Sequence, residues 1–276
     1  MSSQHAFQQV DVFSEQPMKG NPLAVVCDAD GLTDEQMAAF ANWTNLSETT
    51  FIQKPTAPGA DYRVRIFTPN KELPFAGHPT LGTCHVWLRH NHKASVQEVV
   101  QQCEAGLVRV RVDNGKLSFA APPLRKSGPV DAETLEKVRA ALALSPETIV
   151  GANWTDNGPG WLSLLLRNRQ DVLDIKPDYS ALYAGFHVGV VAPCGGEIDA
   201  DFEVRAFTDG YEDPVTGSLN AGIAQWLIGS GIAADSYVAS QGTALGRAGR
   251  VSVDKVGDDI WIGGAVTTLI EGTVTL

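Results

Sequence analysis

The chain has 276 residues, enough for about two average domains and for a core that needs no disulfide or metal staple. It is 43% hydrophobic and 19% charged, which excludes a disordered chain or a coiled coil, and it holds no apolar run long enough to span a membrane. The net charge of −11 repels a phosphate backbone, so nucleic acid is not an expected partner, and an anionic substrate needs a local positive site.

The chain starts without a basic region followed by an apolar one, so no signal peptide is expected. Cys27, Cys84, Cys103 and Cys194 lie far apart without a C-x-x-C pair, which fits a reduced, cytoplasmic protein. In chain order, Phe7–Phe13 and Leu23–Cys27 read as strands, joined by a Gly20-Asn21-Pro22 turn. Thr33 and Gln36 form a capping box that opens a helix ending near Asn45, with Met37, Phe40 and Ala41 on its apolar face. Thr49–Gln53 and Tyr62–Thr68 read as strands, and a helix is predicted over Gly77–His90. Trp43, Trp87 and Trp226 fall on helix faces and are expected in the core. Val96–Glu104, Leu107–Val112 and Leu117–Ala121 follow as strands, with a hairpin turn at Asp113-Asn114-Gly115. Pro122-Pro123 and Lys126-Ser127-Gly128-Pro129 make the best linker in the chain. Beyond it come a helix over Ala132–Leu144, strands at Trp161–Arg167, His187–Ala192 and Phe202–Thr208, and a helix at Gly217–Ile228. Arg250–Leu276 reads as a meander with turns at Gly257-Asp258, Gly263-Gly264 and Glu271-Gly272.

The most informative feature is a self-match. Shifted by 140 residues, positions 61–88 lie on 201–228 without a gap. Identical are Asp61/Asp201, Val64/Val204, Arg65/Arg205, Phe67/Phe207, Thr68/Thr208, Glu72/Glu212, Pro74/Pro214, Gly77/Gly217 and Gly82/Gly222. Two copies make two related halves, expected as 1–122 and 123–264, with a C-terminal strand at about 265–276 returning to the first. In each copy a strand ends at Thr, a loop with Glu-x-Pro follows, and a helix opens at Gly77-His78 or Gly217-Ser218. Helix N-termini carry unpaired N–H groups and about half a positive charge. Two of them facing one another across a cleft supply the positive site that a small carboxylate requires.

Three segments resemble the signature motifs of the PhzF-like phenazine biosynthesis family. They are Asn45-Leu46-Ser47-Glu48-Thr49-Thr50-Phe51, Pro74-Phe75-Ala76-Gly77-His78-Pro79-Thr80-Leu81-Gly82 and Glu212-Asp213-Pro214-Val215-Thr216-Gly217-Ser218. The resemblance implies an α+β, diaminopimelate epimerase-like fold of two pseudo-symmetric halves, each a mostly antiparallel sheet rolled around a central helix. It also implies a cofactor-free isomerase, the characterised family reaction being that of 2,3-dihydro-3-hydroxyanthranilate. It assigns Glu48 as general acid/base, Asp213 and His78 as assisting groups, and Gly77, Gly217 and Ser218 as substrate-binding groups at the helix starts. On its residues alone Glu48 reads as a surface glutamate, and only the motif reverses that. Gln241-Gly242 opens a glycine-rich loop that the resemblance sets near substrate, with Gly242 read as a substrate contact and a plain turn as the alternative.

The halves share scaffold residues and differ at the chemical ones: Asp213 falls opposite Leu73, and His78 opposite Ser218. The thiol-based racemases of this fold carry cysteine before each helix-start glycine, whereas this chain has Ala76 and Thr216. The expected activity is therefore proton movement between carbons of a small cyclic or unsaturated amino- or hydroxy-carboxylate. The alternatives are an epimerase or racemase using two carboxylates, and a non-catalytic metabolite-binding protein. No metal site or cofactor is expected; His85, His90 and His92 crowd one helix end, where cationic and polar residues are ordinary. The expected partner is a small anionic substrate, with a homodimer left open.

Overall fold

A computed structural model describes residues 3–93, 95–113, 115–182, 187–208 and 210–276. The Asn114 turn and the first two residues lie outside the described residues. In chain order the elements are β1 (Gln4–Val12), β2 (Asn21–Val26), α1 (Asp34–Thr44), β3 (Glu48–Gln53), β4 (Tyr62–Phe67), β5 (Glu72–Leu73) and α2 (Gly77–His90). Then follow β6 (Glu98–Cys103), β7 (Gly106–Asp113), β8 (Lys116–Ala120), β9 (Lys126–Pro129), α3 (Ala132–Ala141), β10 (Ile149–Asp156) and β11 (Trp161–Leu166). The remainder are α4 (Arg169–Leu173), α5 (Tyr179–Leu182), β12 (His187–Pro193), β13 (Phe202–Phe207), β14 (Glu212–Asp213), α6 (Gly217–Gly229), β15 (Ser236–Gln241), β16 (Gly249–Val256), β17 (Asp259–Gly264) and β18 (Val266–Thr275).

The chain divides into two compact units, one of residues 1–120 plus 263–276 and one of residues 121–262. In the first unit the ladder runs β18-β1-β2-β3-β4-β6-β7-β8. Only β2–β3 and β4–β6 are parallel, and these are the two connections that carry a helix, as a parallel crossover requires. The sheet rolls around α2, which touches strands from β1 to β8 and is buried along most of its length. On the other face α1 buries Met37, Phe40 and Ala41 against Val26, Phe51 and Phe67. The capping box holds its start, and Asn45 ends it in the left-handed conformation, φ 53°.

The second unit repeats this logic in the order β9-β10-β11-β12-β13-β15-β16, with β11–β12 and β13–β15 parallel. α6 packs on β10, β11 and β16, while α3, α4 and α5 cover the other face around Leu142, Leu162, Leu164, Val188 and Val190. With helices on both faces, β11 and β13 are buried throughout. Gly222 lets α6 approach β10: a Cβ there would sit 2.2 Å from the Thr155 carbonyl oxygen.

Four expectations from sequence need correction. Gly263-Gly264 is not a turn but the end of strand β17. Half of the supposed linker is β9, paired with β10 so that Pro129 lies opposite Asn153; an edge strand tolerates the missing N–H. Glu271-Gly272 is not a turn, because β18 runs through it, opposite Gln8 and Phe7 of β1. Trp43 is 80% exposed and stacks on Phe40 from the solvent side, at 6.2 Å between ring centroids.

Candidate functional site

In the first unit the sequence-predicted residues gather at the start of α2. The left-handed Asn45 reverses the chain out of α1, so that Glu48 opens β3 beside Leu23 of β2. Its side chain is 15% exposed, and Oε2 lies 3.4 Å from His78 Nε2, a contact longer than an ordinary hydrogen bond. His78 Nδ1 faces Asn21 Nδ2, also at 3.4 Å. Burial pushes the His78 imidazole down to about 3, against a weaker upward pull from a hydrogen bond to the Pro22 backbone. The ring is therefore neutral near pH 7, and its contact with Glu48 is not an ion pair. Ala76 precedes the helix in extended conformation and gives it no side-chain cap. Pro79 has no N–H and the Thr80 N–H is bonded to Ala76 O, so Gly77 and His78 supply the N–H groups at this helix start.

This burial has a consequence for acid stability. Between about pH 6.5 and about 3 the unfolded chain takes up a proton at His78 that the folded chain refuses, so stability present above that window drains as pH falls. His85, pushed down to about 4 by burial and by Arg89, acts with the same sign. We expect His78→Gln to lower the slope of unfolding free energy against pH by about 1.4 kcal/mol per pH unit near pH 5. Urea midpoints at pH 4, 5, 6 and 7 measure this, and parallel curves for wild type and variant would refute it.

In the second unit the predicted residues gather at the start of α6. Asp213 closes the short β14, opposite Ala206, and is 9% exposed. Its Oδ2 accepts a 2.5 Å hydrogen bond from the Thr216 hydroxyl. Thr216 precedes the helix but gives it no side-chain cap, since its hydroxyl is turned to Asp213. Ser218 Oγ accepts from Trp161 Nε1 at 3.0 Å, and the Ser218 carbonyl accepts from Asn157 Nδ2 at 2.8 Å. Gly242 adopts φ 91°, and a Cβ there would lie 2.7 Å from the Pro214 carbonyl oxygen. The residue thus lets the strand end pack on the Asp213-Pro214 loop, a duty the sequence reading did not foresee.

The sequence also missed Thr216, Asn220, Trp161 and Asn157 as residues that fix these groups. Gln241, read as facing ligand, is fully buried against Thr216 and Asn220. The sign was available, because Gln101 stands 140 residues before Gln241.

All four cysteines are buried and unpaired, and burial pushes the Cys84 thiol in α2 up to about 12, far from a thiolate nucleophile at neutral pH. His85 goes to Thr268 and His90 to Asp28. Among the described residues no three His, Cys, Asp or Glu side chains gather as a metal site. Among them, too, no helix is long and apolar enough to cross a membrane.

The sequence profile of the phenazine biosynthesis-like proteins (PhzC-PhzF) matches residues 10–272. The antisense-enhancing sequence 1 protein of Schizosaccharomyces pombe is 38% identical, over 98% of each chain. The trans-2,3-dihydro-3-hydroxyanthranilate isomerase of Pseudomonas fluorescens is 34% identical over 78% of this chain and 76% of that one. A crystal structure of a PhzF family phenazine biosynthesis protein from Enterococcus faecalis superposes with a TM-score of 0.83 at 28% identity, covering 99% of this chain and all of that one. The fold is thus the α+β, diaminopimelate epimerase-like one that the motifs implied.

Proposed function

The chain belongs to the phenazine biosynthesis-like (PhzC-PhzF) family of isomerases, and we propose that it moves a proton between carbons of a small cyclic or unsaturated amino- or hydroxy-carboxylate without a cofactor. The observation that carries this reading is Glu48 beside a buried, neutral His78 at the start of α2. An imidazolium at that distance would hold Glu48 ionised. A neutral ring sets no positive charge beside the carboxyl, which suits a group that takes a proton from one carbon and returns it to another. Each unit offers one helix start, Gly77 with His78 in the first and Gly217 with Ser218 in the second, whose N–H groups suit a substrate carboxylate. Asp213 takes the amino or hydroxyl group, and Gly242 supports the Asp213 loop rather than touching substrate. The substrate class is supported by the relative named for isomerising trans-2,3-dihydro-3-hydroxyanthranilate.

The test is proton NMR in D2O of that compound and a panel of cyclic and unsaturated amino- and hydroxy-carboxylates with the protein. A shifted double bond with one deuterium gained at carbon is the expected result. Inversion at a carbon without double-bond movement would replace the isomerase by an epimerase. No exchange in any carboxylate that demonstrably binds would leave a binding protein and overturn the proposal.

A further inference from the structure

Gln241 ends β15 with no exposed surface, and the direction of its amide is fixed by groups whose identity is not in doubt. The Thr216 backbone N–H donates to Oε1 at 3.0 Å, so that atom is the oxygen. Asn220 Nδ2 donates to the same Oε1 at 2.8 Å, and it is itself fixed by donating to the Thr216 carbonyl at 2.9 Å. Gln241 Nε2 therefore faces Thr216 Oγ1 at 3.0 Å and the Asp213 carbonyl at 3.2 Å. With its oxygen accepting from Gln241, the Thr216 hydroxyl gives its one proton to Asp213 Oδ2. All the donors point one way along this chain, from Gln241 through Thr216 to the carboxylate.

The first unit contains an internal control. Gln101, 140 residues earlier, is equally buried and donates from Nε2 to Thr80 Oγ1 at 2.9 Å. Thr80 passes its proton to the Ala76 carbonyl at 2.9 Å, and Tyr62 closes Gln101 Oε1. There the glutamine ties a helix start to a strand and nothing more: position 76 has no hydroxyl and position 73 is Leu. The second unit keeps the tie and adds a hydroxyl beside an acid. Ala76 shows that a helix start of this kind forms without that hydroxyl.

We propose that Gln241 and Thr216 are positioning residues that hold Asp213 as an acceptor-only carboxylate, so that Asp213 grips a substrate amino or hydroxyl group and does not itself carry the travelling proton. The last clause rests on the isomerase reading; the charge state of Asp213 does not. Because Oδ2 ends a chain of donors, a proton on it would face the Thr216 hydroxyl hydrogen, and a proton on Oδ1 would turn the charge-assisted bond from Thr216 into a weaker neutral one, so the chain favours the ionised carboxyl.

The test uses the full chain without substrate, carbon-13 labelled at its Asp carboxyls, with the Asp213 resonance assigned through Asp213→Asn. In Thr216→Ala the Asp213 carboxyl is expected to titrate about one pH unit above wild type. Thr216→Ser, which keeps the hydroxyl, is expected to titrate with wild type. Gln241→Glu keeps the shape but draws the Thr216 proton to itself, and is expected to move Asp213 upward too. It serves as the second test should Thr216→Ala fail to fold. In turnover, Thr216→Ala is expected to raise KM about tenfold with a smaller change in kcat, and Thr216→Ser to restore it. An Asp213 titration unchanged in folded Thr216→Ala or Gln241→Glu overturns the proposal. A moved titration in a protein that exchanges no carboxylate would leave the charge state standing and remove the isomerase reading instead.

Discussion

Glu48→Gln is expected to lower kcat/KM and deuterium incorporation by about 10³-fold, near 4 kcal/mol of transition-state stabilisation, while substrate binding changes less than about threefold. The two effects separate because they belong to different atoms. Glutamine keeps the size of the side chain and an acceptor oxygen beside His78, so the start of α2 and the N–H groups of Gly77 and His78 are undisturbed. What it lacks is an oxygen that takes up a proton from carbon and gives it back. His78 is a poor substitute, because burial holds its ring neutral down to about pH 3 and makes an imidazolium costly. Isothermal titration calorimetry with the substrate carboxylate measures binding, and NMR in D2O measures exchange. Exchange within tenfold of wild type would assign the proton to another group.

The second large effect concerns stability. Arg205→Met is expected to cost about 3–5 kcal/mol of unfolding free energy. The guanidinium grips Glu212 through two bonds of 2.9 and 2.7 Å, and its remaining nitrogen closes the Val172 and Ile175 carbonyls at 3.1 and 2.8 Å. Both charged side chains are about 95% buried. Removing one charge therefore strands the other beside two unpaired carbonyls. The matched Arg65 makes the same two-bond grip on Glu72, with Asp34 as a third acceptor. There the side chains are 15%, 29% and 76% exposed, so water takes over much of the lost interaction, and Arg65→Met is expected to cost about 1 kcal/mol. Urea midpoints compare the two, and equal losses would refute the argument. Arg205→Met with Glu212→Gln is expected to recover part of the loss, since no buried charge is left behind. Glu212 directly precedes Asp213 in β14, so the same ion pair anchors the loop that carries the acid.

How much of this was legible in the sequence depended on how local its cause is. The capping box at Thr33, the bounds of α2 and the inward face of α1 are written within a few residues of themselves, and the structure agrees with each. Glu271-Gly272 misled because turn residues bend a chain only when no partner straightens it; here β1 supplies a long ladder. Pro129 and Gly128 read as linker because edge strands accept what interior strands refuse. Trp43 sits on the flank of the α1 stripe, where helical periodicity does not settle the direction of a large ring. At the site, three motifs named Glu48, His78 and Asp213, but their companions join positions far apart in sequence. The amides of Gln241 and Asn220 are 21 residues apart, and Trp161 and Ser218 57. Nothing in single-residue chemistry marks a glutamine as facing a hydroxyl rather than solvent. Position 101 alone hinted that the residue belongs to the scaffold.

The return of β18 to β1 also sets an order of events. Strand β1 is complete at residue 12, while the partner for its outer edge begins at residue 266, beyond the whole of the second unit. On a ribosome making about 5–20 residues per second, that edge waits roughly ten to fifty seconds. The second unit is continuous in sequence and is free to fold during the delay. The first unit completes its sheet only after synthesis has passed it. Ser3 and Leu276 then exchange two backbone hydrogen bonds, 2.7 and 2.9 Å, so the late strand is pinned along the full length of the early one.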